Sequence, residues 1–393
     1  VTTTAGAVGA DPAADLDAYR RGLRAHLAAP SLDRWRGRFH PTTEARIHDH
    51  GALLAALHGA GWNRYGWPES AGGLGGDVLH RAVLYDELSR AGLPVPDPCL
   101  MLETLAPALL RFAPDLADAY LPRYLRGEEW WGQGFSEPEA GSDLAALRCR
   151  AHWDGESYIV SGQKLWTTHG ATASRLVCLV RTGTPESRHR GLSMIMIDVD
   201  SPGVAIRPIA IASGLNELAE VFFDDVAVPA SRLIGAENDG WAVAMHLMQF
   251  ERSMYAWQSA AVALRRIREL RDQAATLDKL PDGAVRRLGE TYADVVSLRA
   301  RSADTLRRLA AGQSVGPEAS VDKVLLARVE IGLFDLARDV FGPAFLLSSS
   351  DEMREWRADW WFSRSATILG GSAEVQRTIL ADQVLGLPRE QSA

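Results

Sequence analysis

Three segments carry side chains whose chemistry goes beyond packing. Phe135-Ser-Glu-Pro-Glu-Ala-Gly-Ser-Asp143 joins an apolar strand to a Gly-Ser-Asp turn, where Ser142 can expose a hydroxyl or cap a short helix. Taken alone it is a capped turn. Gln163-Lys-Leu-Trp-Thr-Thr-His-Gly170 puts an aromatic plate and two hydroxyls at the end of a strand, able to cover a planar ring and donate to its edge nitrogen. Taken alone, Trp166 reads as core. The third is Phe250-Glu251-Arg252. On a helix the neighbours of Glu251 three and four residues away are Leu247, Met248, Met254 and Tyr255, so the carboxylate shares a largely apolar face. Burial there raises its pKa and makes it a stronger base toward a weakly acidic C–H. The alternative is a buried structural pair with an arginine.

Two further clusters carry less. Ala71-Gly-Gly-Leu-Gly-Gly76 has no strand before it and no GK[ST] after it, so it reads as a loop, not a phosphate cradle. His40, His48, His50 and His58 suggest a metal, but His48 and His50 are two apart on an expected helix and point to different faces, so no metal is expected.

The positioning elements fall into three blocks. From Leu16 to Arg126 apolar residues recur at three and four, as in Ile47, Leu54 and Leu57, interrupted by Pro68, Pro94, Pro96 and Pro122. From Trp130 to Pro229 the pattern turns to short β-rich runs: Ser157 to Thr168, Arg175 to Arg181, Leu192 to Val199, Val204 to Ile209 and Glu220 to Val228. No helix of crossover length separates them, so antiparallel pairing in a small barrel or sandwich is expected. Helical periodicity returns over Trp241 to Ala275, Val285 to Ala311 and Val321 to Phe341, with a last helix after Gly371. The expected class is α+β: helices over 1–128, an antiparallel β domain over 129–235 and a helical bundle over 236–393.

At 393 residues with 47% hydrophobic content, the chain needs two or three cooperating domains. The net charge of −8 is spread out, leaving no basic footprint for nucleic acid and no polybasic membrane anchor. Cys99, Cys149 and Cys178 form no paired motif, so neither disulfides nor zinc are indicated. Val1 to Ala14 lacks the pattern of a signal peptide, and no apolar run approaches the roughly 18 residues of a membrane span. A cytoplasmic location is expected.

Together with Glu220-Val-Phe-Phe-Asp-Asp-Val-Ala-Val-Pro229, Gly235-Ala-Glu-Asn-Asp-Gly-Trp241 and Gly370-Gly-Ser-Ala-Glu-Val-Gln-Arg377, the segments above resemble the acyl-CoA dehydrogenase family over nearly the whole chain. The helix–β–helix layout is also that family's fold, which ends in a four-helix bundle. The resemblance implies FAD as cofactor. It makes Gln133, Phe135 and Ser136 flavin neighbours and gives Ser142 contacts with FAD or the CoA arm. It lays Trp166 and Thr168 against the isoalloxazine, and matches Ser372 and Glu374 to positions that touch FAD.

Many family members carry the base just before the glycine of the C-terminal motif; here that position is Gly370. A subset uses a glutamate on the helix after the β domain, which Glu251 matches. Arg252 matches a frequent family arginine, and Met248, Arg252 and Tyr255 are candidates to line the substrate pocket. The implied reaction is α,β-dehydrogenation of an acyl-CoA to its trans-2-enoyl thioester: Glu251 takes the Cα proton, flavin N5 takes the Cβ hydride, and the Gly370 N–H with a ribityl hydroxyl holds the thioester oxygen.

Two departures bear on assembly. Arg268 to Pro281 lacks the family's Phe-Gly, and Asp339 stands before Phe341-Gly342 where glutamine is common and where an acid would repel phosphate. Such divergence resembles actinobacterial subgroups in which two different subunits form a heterotetramer. The expected partners are an acyl-CoA, electron-transferring flavoprotein as acceptor, and other subunits in a homo- or hetero-tetramer. Two other readings stay open: a flavin monooxygenase on the same scaffold, and a non-catalytic subunit of a hetero-oligomeric dehydrogenase.

Overall fold

The computed structural model describes residues 15–388. The N-terminal helices are α1 (Leu16–Leu27), α2 (Thr43–Gly59), α3 (Val78–Arg90), α4 (Pro98–Phe112) and α5 (Pro114–Leu125). Their starts are written in the sequence. Asp15 accepts from the backbone N–H groups of Asp17 and Ala18, Thr42 accepts from Ala45, and Pro98 and Pro114 open α4 and α5. In α1, Tyr19, Leu23 and Leu27 repeat every four residues and are all buried, which is the stripe that docks this helix. The stretch 71–76 is a tight loop in which a Cβ on Gly73 would collide with the Trp67 carbonyl.

The middle region holds β1 (Trp131–Gly134), β2 (Arg150–Trp153), β3 (Ser157–Thr168), β4 (Arg175–Arg181), β5 (Leu192–Asp198), β6 (Val204–Ile209), β7 (Leu218–Pro229) and β8 (Leu233–Ile234). The order is β6-β7-β3-β2-β4-β5-β8, with β1 beside β4. A single residue pair, Arg150 with Arg181, bridges β2 to β4, so the sheet is two lobes. Val160, Val221 and Phe223 of one lobe share a core with Cys178, Val180 and Ile195 of the other, as in a sandwich.

The five strands expected from the sequence pair antiparallel among themselves, and β1, β2 and β8 join them. β1 pairs parallel to β4, which the expectation of a purely antiparallel domain did not include. At four residues with two glycines it gives no alternating pattern. The glycines let it approach β4: a Cβ on Gly132 would sit 2.8 Å from Leu176, and one on Gly134 would sit 2.6 Å from the Cys178 sulfur.

The C-terminal region comprises α6 (Gly240–Ala274), α7 (Ala284–Ala310), α8 (Ala319–Phe341), α9 (Pro343–Leu347), α10 (Asp351–Ser363) and α11 (Ala373–Ile379). α9 and α10 were not anticipated. The start of α10 was nonetheless legible, because Ser350 caps it by accepting from Met353 N and two acids follow in its first turn. Helices α6, α7, α8 and α10 bury Ala256, Ile267, Val295, Leu326, Leu333 and Trp356 in one core. Each such aliphatic side chain contributes roughly 2 kcal/mol of transfer free energy. Among the described residues no helix is long and apolar enough to cross a membrane.

Candidate active site

Glu251 lies in the first half of α6, near the junction of all three regions. It is half-buried, and burial raises its pKa above the ordinary glutamate value. Arg252, the Gln133 side chain at the end of β1, and Lys323 of α8 offset that only in part. Arg252 closes no ion pair with Glu251 among the described residues; its Nη2 reaches the Met248 sulfur at 3.6 Å and its Nε is buried without a partner. The buried glutamate–arginine pair, one of the two readings of this segment, is therefore not formed.

Gly370 closes the site from the turn between α10 and α11. Its φ is +65° and that of Gly371 is +92°, backbone that glycine adopts without strain. A Cβ at Gly370 would sit 3.0 Å from the Glu251 Oε1 and 3.3 Å from the Lys323 Cε, so this glycine leaves room for the carboxylate. The turn is tied down by Lys323 Nζ donating to the Ala366 carbonyl and by Ala373 N donating to the Thr367 carbonyl. Ser372 spends its hydroxyl capping α11, accepting from Val375 N at 3.3 Å, while Glu374 faces solvent. One and two turns along α6 from Glu251, Tyr255 and Ser259 donate to the buried Glu330 of α8.

A second surface forms at the far end of β3. The register slips between Lys164 and Thr167, and in that bulge Trp166 takes φ +61° with 55% of its surface exposed. A left-handed tryptophan costs roughly 1–3 kcal/mol, and the bulge turns its indole outward. Thr168 is half-buried beside it, and the Thr167 Oγ1 is buried without a partner. An outward aromatic plate flanked by hydroxyls fits a planar ring system with polar edges.

The segment after β1 is fastened to this surface. Lys164 is wholly buried and donates to Glu137 at 2.7 Å and to the Phe135 carbonyl at 3.2 Å; Leu165 N donates to the Ser136 carbonyl. Glu137 also accepts from Arg148 N and Cys149 N, closing the loop that carries the exposed Ser142.

The structure thus gathers Glu251, Arg252, Gln133 and Gly370 in one place, with Met248 and Tyr255 along the same helix. Phe135, Ser136, Trp166 and Thr168 meet where β1 and β3 end. Lys323, Glu330, Lys164 and Glu137 were missed. The signal for Lys323 was available: a lone lysine inside Val321–Leu326, seven residues and therefore two turns before Glu330 on the same face. Asp339 is paired with Arg287 at 2.6 Å and with Arg338 at 2.9 Å, and Arg338 also reaches Asp335. His40 pairs with Asp49 and His50 accepts from Asp97 N, so both imidazoles serve the N-terminal packing.

Helical ends around a central sheet, with a buried carboxylate at their junction, define a three-domain enzyme scaffold. The family models for the acyl-CoA dehydrogenase N-terminal, middle and C-terminal domains match residues 16–128, 132–226 and 238–385. The acyl-CoA dehydrogenase IpdE1 of Mycobacterium tuberculosis is 37% identical over 356 residues, covering 90% of this chain and 91% of that protein. Among solved structures, the Tcur3481-Tcur3483 steroid ACAD superposes with a TM-score of 0.79 at 28% identity, covering 97% of this chain and 99% of that one. The ChsE4-ChsE5 complex from Mycobacterium tuberculosis gives 0.79 at 26%, covering 99% and 100%. The chain belongs to the acyl-CoA dehydrogenase family. It is an enzyme of the flavoprotein oxidoreductase type.

Proposed function

We propose that this chain removes the Cα proton and Cβ hydride of an acyl-CoA, with Glu251 as the base, to give the trans-2-enoyl thioester. The observation that carries this is a half-buried carboxylate with a raised pKa, in no ion pair among the described residues, facing a glycine turn. A carboxylate drawn out of water in this way is a better base than one in water, and Gly370, lacking a Cβ, leaves room for it beside the turn. The Gly370 N–H is the chain's donor for the thioester oxygen, whose negative charge grows as the Cα proton leaves. Met248, Arg252 and Tyr255 are positioned to border the acyl group, and Ser142, exposed on its loop, to meet the CoA arm or the cofactor.

FAD, when bound, supplies the hydride acceptor. Trp166 and Thr168 would cover its ring system, with Gln133, Phe135 and Ser136 along its edge and Ser372 and Glu374 at the start of α11. The functional units are proposed as 1–128, 129–235 and 236–393. Two of the similar structures carry the names of a two-part steroid ACAD and of a two-protein complex, which supports a bulky steroid-derived acyl group and a hetero-oligomer. Electron-transferring flavoprotein is proposed as the acceptor.

The test is anaerobic bleaching of bound flavin by linear, branched and steroid-side-chain acyl-CoAs, in wild type and in Glu251→Gln. Bleaching by wild type with a loss of about 10³-fold in the variant is expected. Bleaching at an undiminished rate in Glu251→Gln would remove Glu251 from the mechanism.

A further inference from the structure

We propose that Lys323 is a positioning residue for the base: from α8 it fastens the turn that carries Gly370 and supplies the positive charge that keeps Glu251 ionised. The inference rests on the reading of Glu251 as the base.

Lys323 is 3% exposed, and enclosing an ammonium group costs several kcal/mol unless its donors and charge are met. One donor goes to the Ala366 carbonyl, four residues before Gly370, in the turn that ends at α11. Its stem lies 3.3 Å from where a Gly370 Cβ would be, on the side where the Glu251 Oε1 lies at 3.0 Å. The lysine and the glutamate thus converge on one face of one glycine. A neutral long side chain would fill the same space without the burial cost, so the charge needs its own account.

The groups that set the charge at Glu251 come from three elements. They are Arg252 on α6, Lys323 on α8 and the neutral Gln133 on β1; Tyr255 of α6 feels the charge of Glu251 in turn, Glu330 of α8 acts on Lys323, and Gly370 on the turn brings no charge. Arg252 adjoins Glu251 on the same helix and moves with it. Lys323 does not: its charge reaches Glu251 only when α6, α8 and the turn are docked. Burial lowers the pKa of Lys323, while Glu330 and then Glu251 draw it back up, so the ammonium answers to two carboxylates. Glu330 already accepts from Ser259 at 2.6 Å and from Tyr255 at 3.4 Å, which leaves Glu251 the carboxylate with more to gain from the ammonium.

The experiment follows protonation of Glu251 directly, as the pH dependence of the protonated-carboxyl infrared band that Glu251→Gln removes. It compares wild type, Lys323→Gln and Lys323→Met, alongside the pH profile of flavin bleaching. Lys323→Gln keeps a donor for Ala366 and loses the charge. The Glu251 midpoint should move up by about one pH unit, with bleaching about tenfold slower than wild type on the acid side and little changed at high pH. Lys323→Met should show the same shift plus a slower rate at every pH, because the Gly370 turn is also released. A Lys323→Gln midpoint that coincides with wild type or moves down overturns the proposal. If Lys323→Met does not fold, the Lys323→Gln midpoint decides. Undiminished bleaching in Glu251→Gln removes the base reading itself, whereas a dead Glu251→Gln with an unmoved Lys323→Gln midpoint removes only the role of Lys323.

Discussion

Two enclosed groups of charge in this molecule use the same residue types to opposite ends. Where α2 meets the approach to β7, Arg46 Nε lies 2.6 Å from Asp97 and its Nη2 bonds Glu217, while the Glu217 carbonyl accepts from His169 N. Burial would raise the Asp97 pKa, but Arg46, His50, His169 and His40 together outweigh it and hold it below the ordinary value. Every formal charge there has a partner in contact. At the α6–α8 junction Glu251 has an arginine next to it in sequence and a lysine across from it, yet closes an ion pair with neither. The first arrangement locks the N-terminal helices to the β domain. The second leaves a carboxylate with a raised pKa and no ion pair among the described residues. What separates a strut from the proposed base here is geometry, not composition.

That contrast can be broken from either side. The largest effect should come from Glu251→Gln, with bleaching down about 10³-fold and the melting temperature and flavin content held; a large loss of melting temperature would make Glu251 a strut as well. Arg46→Met should do the reverse, destabilising the protein by about 4 kcal/mol, because it strands Asp97 and Glu217, while the folded fraction bleaches normally. Denaturant melts read the first and single-turnover kinetics the second.

His169 sharpens the comparison through pH. Burial pushes its pKa down to about 4, so the unfolded chain binds its proton more tightly than the folded one. The stability it permits is therefore complete above the unfolded value near 6.5 and is lost as pH falls toward 4, by about 3 kcal/mol in all. His169→Asn, which tolerates the left-handed backbone at φ +54°, should flatten that part of the stability profile. An unchanged profile would show that His169 does not drive the acid response. Gly370→Ala should give the smallest change: about 1 kcal/mol of stability from its positive φ and roughly tenfold in bleaching as the methyl meets Glu251. A variant that bleaches like wild type would mean the carboxylate does not need that space.

How much could be read beforehand follows from the physics of each part. Long amphipathic runs such as Val285 to Ala311 show their period over several turns, so α6, α7 and α8 were legible almost to the residue. β1 was not, because its recognition depends on the close approach of Gly132 and Gly134 to β4, a tertiary fact. Glu251 stood out by its apolar neighbours and by resemblance. The Glu137–Lys164 pair did not, since partners 27 residues apart leave no local spacing to read, whereas Lys323 and Glu330, seven apart on α8, did leave one. Trp166 was visible as an aromatic, but its left-handed backbone and outward aim come from a slipped register that no single strand records.

One helix carries a consequence of its own. α6 runs 35 residues without a break, about 50 Å. It lends Val243, Ala244 and Leu247 to the core shared with α4 and the sheet, Met254 to the core of the N-terminal helices, and Ala256, Ala260 and Ile267 to the C-terminal bundle. Glu251 sits between the first and second of these sets. The three cores are threaded on one rod, so none can loosen alone, and the position of Glu251 inherits the cooperativity of those three cores instead of the mobility of a local segment. A deletion of one residue between Leu247 and Met254 would rotate everything beyond it by about 100° and set two of the cores out of phase with the third.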